Sequence, residues 1–229
     1  MGKITNLLII LIMLVFFFTP VTSFAVGLGI QIPAYGSGDA HYKVEYTYRD
    51  YYGYDEDISS EHDMDISHFG IGFVLDTKVA NPGVFNYRLN INYENVNLGN
   101  EDQWKDGFNS FSIDNTFGFA VLQSSVVRLW IGPQIRLAYM HFSHDDYNVS
   151  VNIFGIAFGP VLGANFNLGS VVSLCPELGY RLSFYGGSFD FDEEMSDNYN
   201  DGTWTMDNKE FFLRFNILFR ISDNYDNFF

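Results

Sequence analysis

The chain contains a single cysteine, Cys175, so no disulfide can form within it. Basic residues are also scarce: 12 Lys and Arg stand against 28 Asp and Glu, a formal net charge of −16. Such an acidic surface argues against nucleic-acid binding, which relies on neutralising phosphates. After the first residues there is no apolar run long enough for a membrane-spanning helix. No loop has the Asp-x-Asp-x-Asp-Gly spacing of an EF-hand. No cofactor is expected, and no segment reads as a linker between domains.

The first thing present is an export signal. Lys3 precedes an apolar run from Leu7 to Phe18, a Thr-Pro break follows, and Ser23-Phe24-Ala25 supplies small residues three and one before a cut. Cleavage is expected after Ala25. Val26, not cysteine, immediately follows the cut, so the product is not expected to be a lipoprotein. Residues 1–25 are thus expected to be a signal peptide, 26–221 a single barrel domain and 222–229 a short tail.

The mature chain reads as strands. Between Val84 and Leu98, Phe85, Tyr87, Leu89, Ile91 and Tyr93 fall on one face, and Asn86, Arg88, Asn90, Asn92 and Glu94 on the other. The same alternation recurs from Val26 to about Tyr35 and from about Asp65 to Asp76. It returns from Ser110 to Leu122, Val127 to about Phe142, Val149 to Phe166, Val172 to Tyr185, and Glu210 to Ile221. The first of these continues past Gly36-Ser37-Gly38 if Tyr42, Val44, Tyr46 and Tyr48 extend it. That makes eight strands. The links Thr77 to Gly83, Gln123 to Val126 and Asn167 to Ser170 are short. Those near Asp55, Glu101, Asp145 and Asp192 are mostly longer and carry the acid. Short turns at one end and long loops at the other predict an all-β fold, an eight-stranded antiparallel up-and-down transmembrane β-barrel with periplasmic turns and acidic extracellular loops. An even strand number closes the sheet and removes its edges.

A soluble barrel would show the same alternation with its apolar face inside. Volume decides between the two, because eight strands leave an interior only just filled by side chains. The apolar faces are crowded with Phe, Tyr, Leu and Ile. The opposite faces carry Gly27, Gly29, Gly70, Gly72, Gly118, Gly132, Gly155, Gly159, Gly163 and Gly179 among polar residues. Glycine suits a narrow lumen better than a solvated strand face, so the aromatic face is expected to meet lipid.

With its signal, paired alternation and final strand Phe211-Phe212-Leu213-Arg214-Phe215-Asn216-Ile217-Leu218-Phe219, the chain resembles the small eight-stranded outer-membrane barrels of the OmpA, OmpX and OmpW kind, including opacity-type surface antigens. The resemblance implies a bacterial outer-membrane location, contact with outer-membrane lipid and lipopolysaccharide, and recognition by the outer-membrane assembly machinery through a terminal aromatic. Phe229 is terminal, but Ser222 to Asn227 before it do not read as strand, so either Phe219 carries that signal internally or the tail has another role. The leading expectation is a non-enzymatic, porin-like barrel that supports the membrane and presents acidic loops at the cell surface. The alternatives are a narrow channel for small or apolar solutes, implied by the OmpW group, and a lipid-modifying enzyme.

Seven ionisable residues are expected to line the lumen as an ion-pair network: Arg88, Glu94, Asp114, Arg136, Glu177, Arg181 and Arg214. The tight turn between the fourth and fifth strands sets Asp114 opposite Arg136 or Gln134, within cross-strand reach. Counting across the turn at Leu168 sets Glu177 near Gly159 or Val161, and Arg181 near Gly155 or Ala157. Strand closure sets Arg214 beside Gly27, Gly29 and Gln31. Four arginines against three acids would make any path through the lumen favour anions.

His141-Phe142-Ser143 is the best enzyme signal and is similar to the His-x-Ser of lipid A deacylases. Asp145 or Asp146 would have to orient the histidine. The motif lies on the fifth strand and is followed by His144, which departs from that family's pattern, so no catalytic residue is assigned. Asp63-Met64-Asp65 and Asp190-Phe191-Asp192-Glu193-Glu194 offer hard oxygen ligands, which suits diffuse Ca²⁺ or Mg²⁺ binding rather than a specific metal site.

The face assignment has a direct test. Phe73→Arg or Leu89→Arg should block insertion by placing charge in mid-membrane lipid, at about 2–4 kcal/mol, whereas Asn90→Arg, facing the lumen, should be milder. Assembly measured in lipid vesicles checks the order, and equal tolerance at all three sites would reverse the faces.

Overall fold

A computed structural model describes residues 26–79, 83–99, 107–144, 149–191 and 202–221. The expected signal peptide and tail lie outside the described residues, as do the acidic stretches Glu101 to Asp106 and Asp145-Asp146. Eight antiparallel strands are present among the described residues: β1 Val26–Arg49, β2 Asp55–Asp76, β3 Phe85–Leu98, β4 Phe108–Gln123, β5 Val127–His144, β6 Val149–Leu168, β7 Val172–Phe191 and β8 Gly202–Ile221. Each pairs with the next, and β8 pairs with β1, so the sheet closes into a barrel.

Over the half of the barrel nearest the short turns, the apolar faces look outward. Leu28, Ile30, Ile32 and Tyr35 of β1, Phe69, Ile71 and Phe73 of β2, and Phe211, Leu213 and Phe215 of β8 are exposed, Phe73 by 71%. The polar and glycine faces look inward, where Asn90, Asn92, Glu94 and Asp114 are buried. The inward glycines make room for large neighbours. A Cβ on Gly163 would lie 2.1 Å from Trp130, and one on Gly179 would lie 2.2 Å from Phe212.

The strands run further than the alternation suggested, chiefly at the long-loop end. The acidic stretch Asp55 to Asp65 is not a loop but the first half of β2, and its link to β1 is a short turn. There the Asp50 side chain accepts hydrogen bonds from the Tyr52 and Tyr54 amides at 2.8 Å, and Gly53 takes the positive φ of 82° that the turn needs. β7 and β8 likewise absorb the edges of the Asp190 to Asp207 stretch. Acid does not stop these strands, because its side chains alternate outward into water while β1 supplies cross-strand partners. Arg49 binds Asp55 at 2.7 Å and His41 binds Asp63 at 2.8 Å.

Two registers differ from expectation. Arg214 lies opposite Ala34 rather than beside Gly27, Gly29 or Gln31. Pro33 has no N–H for the ladder, and β1 shifts register between Gln31 and Ala34. Glu177 lies opposite Gly163 rather than Gly159 or Val161, and Gly155 and Ala157 face Tyr185 and Ser183 rather than Arg181. The turn is tighter than the count assumed: Leu168 already pairs with Val172, and Gly169 takes a φ of 61°. Asp114 does face Arg136, one of the two registers expected.

The extended β1–β2 hairpin should have a window of pH stability. Its hydrogen bond to Asp63 raises the His41 pKa above 6.5, so that contribution is full at lower pH and fades as pH rises through the raised value. The bond from Arg49 lowers the Asp55 pKa below 3.8, so that contribution is full at higher pH and fades as pH falls through the lowered value. Amide exchange, corrected for its intrinsic pH dependence, should show the tip best protected between these limits, and flat protection across both would show that neither pair matters.

Candidate functional site

The lumen has three levels. At the short-turn end, Val79 from the β2–β3 link is buried with Val74, Cys175 and Leu218. Its carbonyl accepts from Asn165 at 3.2 Å, and Arg128 holds the same link through the carbonyls of Lys78 and Gly83, the latter at 2.9 Å. Trp130 lies beside this group, donating from its indole to Asn165 at 3.2 Å.

The middle level is ionic. Arg88 donates to Asp76 at 2.8 Å and to Asn165 at 2.9 Å, pairs with Glu177 across the lumen, and lies 5.0 Å from the centre of the Trp130 ring. Arg214 binds Asp114 at 2.7 Å and lies 3.8 Å from Glu177. Arg136 pairs with Glu94 and stands 3.9 Å from Asp114. Arg181 pairs with Glu210 and stands 4.0 Å from Asp114. The guanidinium groups of Arg181 and Arg214 both lie over the ring of Phe212, at 4.7 and 4.4 Å. His68 contacts Glu210 at 3.0 Å through Nδ1 and Arg181 at 3.2 Å through Nε2. A neutral ring with its hydrogen on Nδ1 fits both, donating to the carboxylate and accepting from the guanidinium.

All seven residues expected in the lumen lie in this level, but the main partnerships are not the expected ones. Asp114 faces Arg136 yet makes its close contact with Arg214, and Arg136 is held by Glu94. Asp76, Glu210 and His68 were missed. Each shares strand parity with residues already assigned inward: His68 and Asp76 with Gly70 and Gly72, Glu210 with Arg214. Asp76 and Glu210 resembled strand ends rather than lumen. With them, five acids (Asp76, Glu94, Asp114, Glu177, Glu210) stand against Arg88, Arg136, Arg181 and Arg214, which removes the basis for an anion-selective path.

The third level, toward the long loops, reverses the ionic one. Inside are Phe108, Met140, Phe142, Ile153, Trp204 and Met206, all buried, with Tyr42, Val44 and Met64 packed against them. Phe108 meets Trp204 edge-on at 5.2 Å and Phe142 at 5.1 Å. Outside, the same strands present Asp39, His41, Lys43 and Glu45 on β1, Glu61, Asp63 and Asp65 on β2, and Thr203, Thr205, Asp207 and Lys209 on β8. At the ionic level the barrel is polar inside and apolar outside, and above the junction the arrangement is inverted. The sequence signal was a change of character at constant parity across Gly36 to Asp39: outward positions change from Tyr35 to Ser37 and Asp39, and inward ones from glycine to Ala40, Tyr42 and Val44.

The deacylase-like motif gains no acid among the described residues. His141 contacts Asn152 at 3.0 Å, and Asn152 also accepts from Tyr139 at 2.7 Å. Asp145 and Asp146 lie outside the described residues. Among those described, no His, Cys, Asp and Glu cluster could hold a metal ion.

No family model and no curated protein matches the sequence. Among solved structures, the outer membrane protein OprG from Pseudomonas aeruginosa is similar at 10% identity with a TM-score of 0.54, over 87% of this chain and 98% of that one. Neisserial surface protein A is similar at 12% identity and 0.34, over 81% and 97%. The COG4313 outer membrane channel from Pseudomonas putida F1 is similar at 9% and 0.28, over 88% and 97%. The likeness to OprG is one of fold.

The ionic level makes a graded prediction. Glu94→Ala should destabilise the barrel by about 3–5 kcal/mol by leaving Arg136 buried without its main partner, and adding Arg136→Met should recover much of that. The coupling in a double-mutant cycle should be larger for Glu94 with Arg136 than for Asp114 with Arg136. Urea unfolding in lipid vesicles measures both, and strictly additive effects would mean that Glu94 and Arg136 do not meet.

Proposed function

We propose that the chain is a non-enzymatic bacterial outer-membrane barrel that takes up small apolar solutes, the ionic level serving as its gate. In this reading residues 1–25 direct export and are cleaved after Ala25, the apolar belt sits in lipid, the short turns face the periplasm and the acidic extension projects from the cell. The observation that carries the proposal is the inverted outer half. That interior packs the extension as the core of a soluble barrel would, and it also lies beyond the membrane belt, in the position where an outside solute would arrive first. Met64, Met140 and Met206 line it, and the unbranched, polarizable methionine side chain can repack around guests of varied shape. The likeness in fold to OprG agrees with the membrane setting. The charged residues beneath would not admit an apolar molecule without desolvation cost, so the ion pairs must part, or the solute must leave sideways, for passage to continue.

The test is transport. In asymmetric vesicles with lipopolysaccharide in the outer leaflet, the barrel should speed the entry of radiolabelled naphthalene, and Met206→Glu in the apolar interior should return entry to the protein-free rate while the variant still inserts. Equal entry with and without the wild-type barrel would return the protein to a purely structural, surface-presenting role.

A further inference from the structure

Asn208 lies on β8 at the junction of the two regimes, between Met206 of the apolar level and Glu210 of the ionic level, all three facing inward. It is 3% exposed, and among the described residues neither its Oδ1 nor its Nδ2 has a hydrogen-bond partner. A buried amide with both ends unmet is costly, and such groups in native folds have a reason. Its neighbours across the sheet are small, Ala40 on β1 and Ser183 on β7, and among the described residues the buried Ser183 hydroxyl is without a hydrogen-bond partner as well. Glu210 does not meet its need, because that carboxylate is held by Arg181 and His68. Above it stand Met206 and Trp204, the latter beside Phe108 and Tyr42.

We propose that Asn208 is the polar anchor of a ligand site at the floor of the apolar interior, and that its ligand is a small apolar molecule bearing one neutral hydrogen-bonding head such as a hydroxyl. The inference rests on the solute-binding reading above and adds the ligand's chemistry to it. A hydroxyl can donate to Oδ1 and accept from Nδ2 at once. The apolar body would lie upward against Trp204, Met206 and Phe108. An anionic head is disfavoured by the Glu210 carboxylate one inward position below. A molecule without a head would leave the amide unmet, and a site built to hydrogen-bond its ligand discriminates against the analogue that cannot.

Two probes share one body, 2-bromonaphthalene and 6-bromo-2-naphthol, and bromine quenches indole fluorescence on contact. With full-length protein in bicelles, both should quench, and Trp204→Phe should remove the quenching that marks this site. The naphthol should bind about tenfold more tightly than the parent, the size of one net hydrogen bond. Asn208→Leu should keep parent binding and erase the preference, with Asn208→Ala as the second variant if the leucine form does not insert. Equal binding of the two probes to the wild type, or a preference that survives in Asn208→Leu, would overturn the anchor while leaving the apolar site standing. No Trp204-dependent quenching by either probe would overturn the solute-binding reading itself.

Discussion

Closing eight strands into one sheet leaves no unpaired edge, but it leaves a lumen only as wide as the side chains that fill it. The remaining features follow from that narrowness. Strands on opposite sides of the barrel are near enough for their side chains to meet, so Arg88 of β3 reaches Glu177 of β7 and Arg214 of β8 reaches Asp114 of β4. Charges held this far from water need partners close by, and the lumen provides them in a continuous set centred on Asp114. Some of the largest residues lie over glycines of the neighbouring strand, as with Trp130 over Gly163 and Phe212 over Gly179.

The second constraint is the change of medium along the barrel. A strand has a period of two whatever surrounds it, so the same backbone can serve lipid and water if its faces exchange character. β1 does this in one run. Leu28, Ile30, Ile32 and Tyr35 give way outside to Ser37, Asp39, His41 and Lys43, while inside the glycines give way to Ala40, Tyr42 and Val44. Above the change the barrel is built as a water-soluble one would be, with an aromatic and methionine-rich interior. Below it the barrel is built for lipid, with a salt-bridged interior. Asn208 stands where the two interiors meet, and this position gives the proposed solute site both an apolar wall and a polar floor.

Much of this was legible in the sequence, and the reasons are local. Strand existence and face follow from alternation, which reads clearly in Val84 to Leu98, and the seven lumen charges followed from parity alone. Local spacing does not carry a change of context along one strand. Acidic runs in the first half of β2 and the outer end of β8 read as loops although they lie in strands, and the reversal of faces falls within them. Asp76 and Glu210 were overlooked because they resembled strand ends, although their parity placed them inside.

The sequence by itself determined the all-β class, the strand number and, within each unbroken run, which side chains share a face, because these depend on spacing along one chain. The pairing of Arg136 with Glu94, the position of Arg214 beside Asp114 and the gathering of Trp204, Phe108 and Met140 into one apolar interior were decided only by the tertiary structure. They depend on how far each strand slides against its neighbours, on a register shift at Pro33 and a turn at Gly169, and on which residues meet across a closed lumen, distances that no spacing along the chain records.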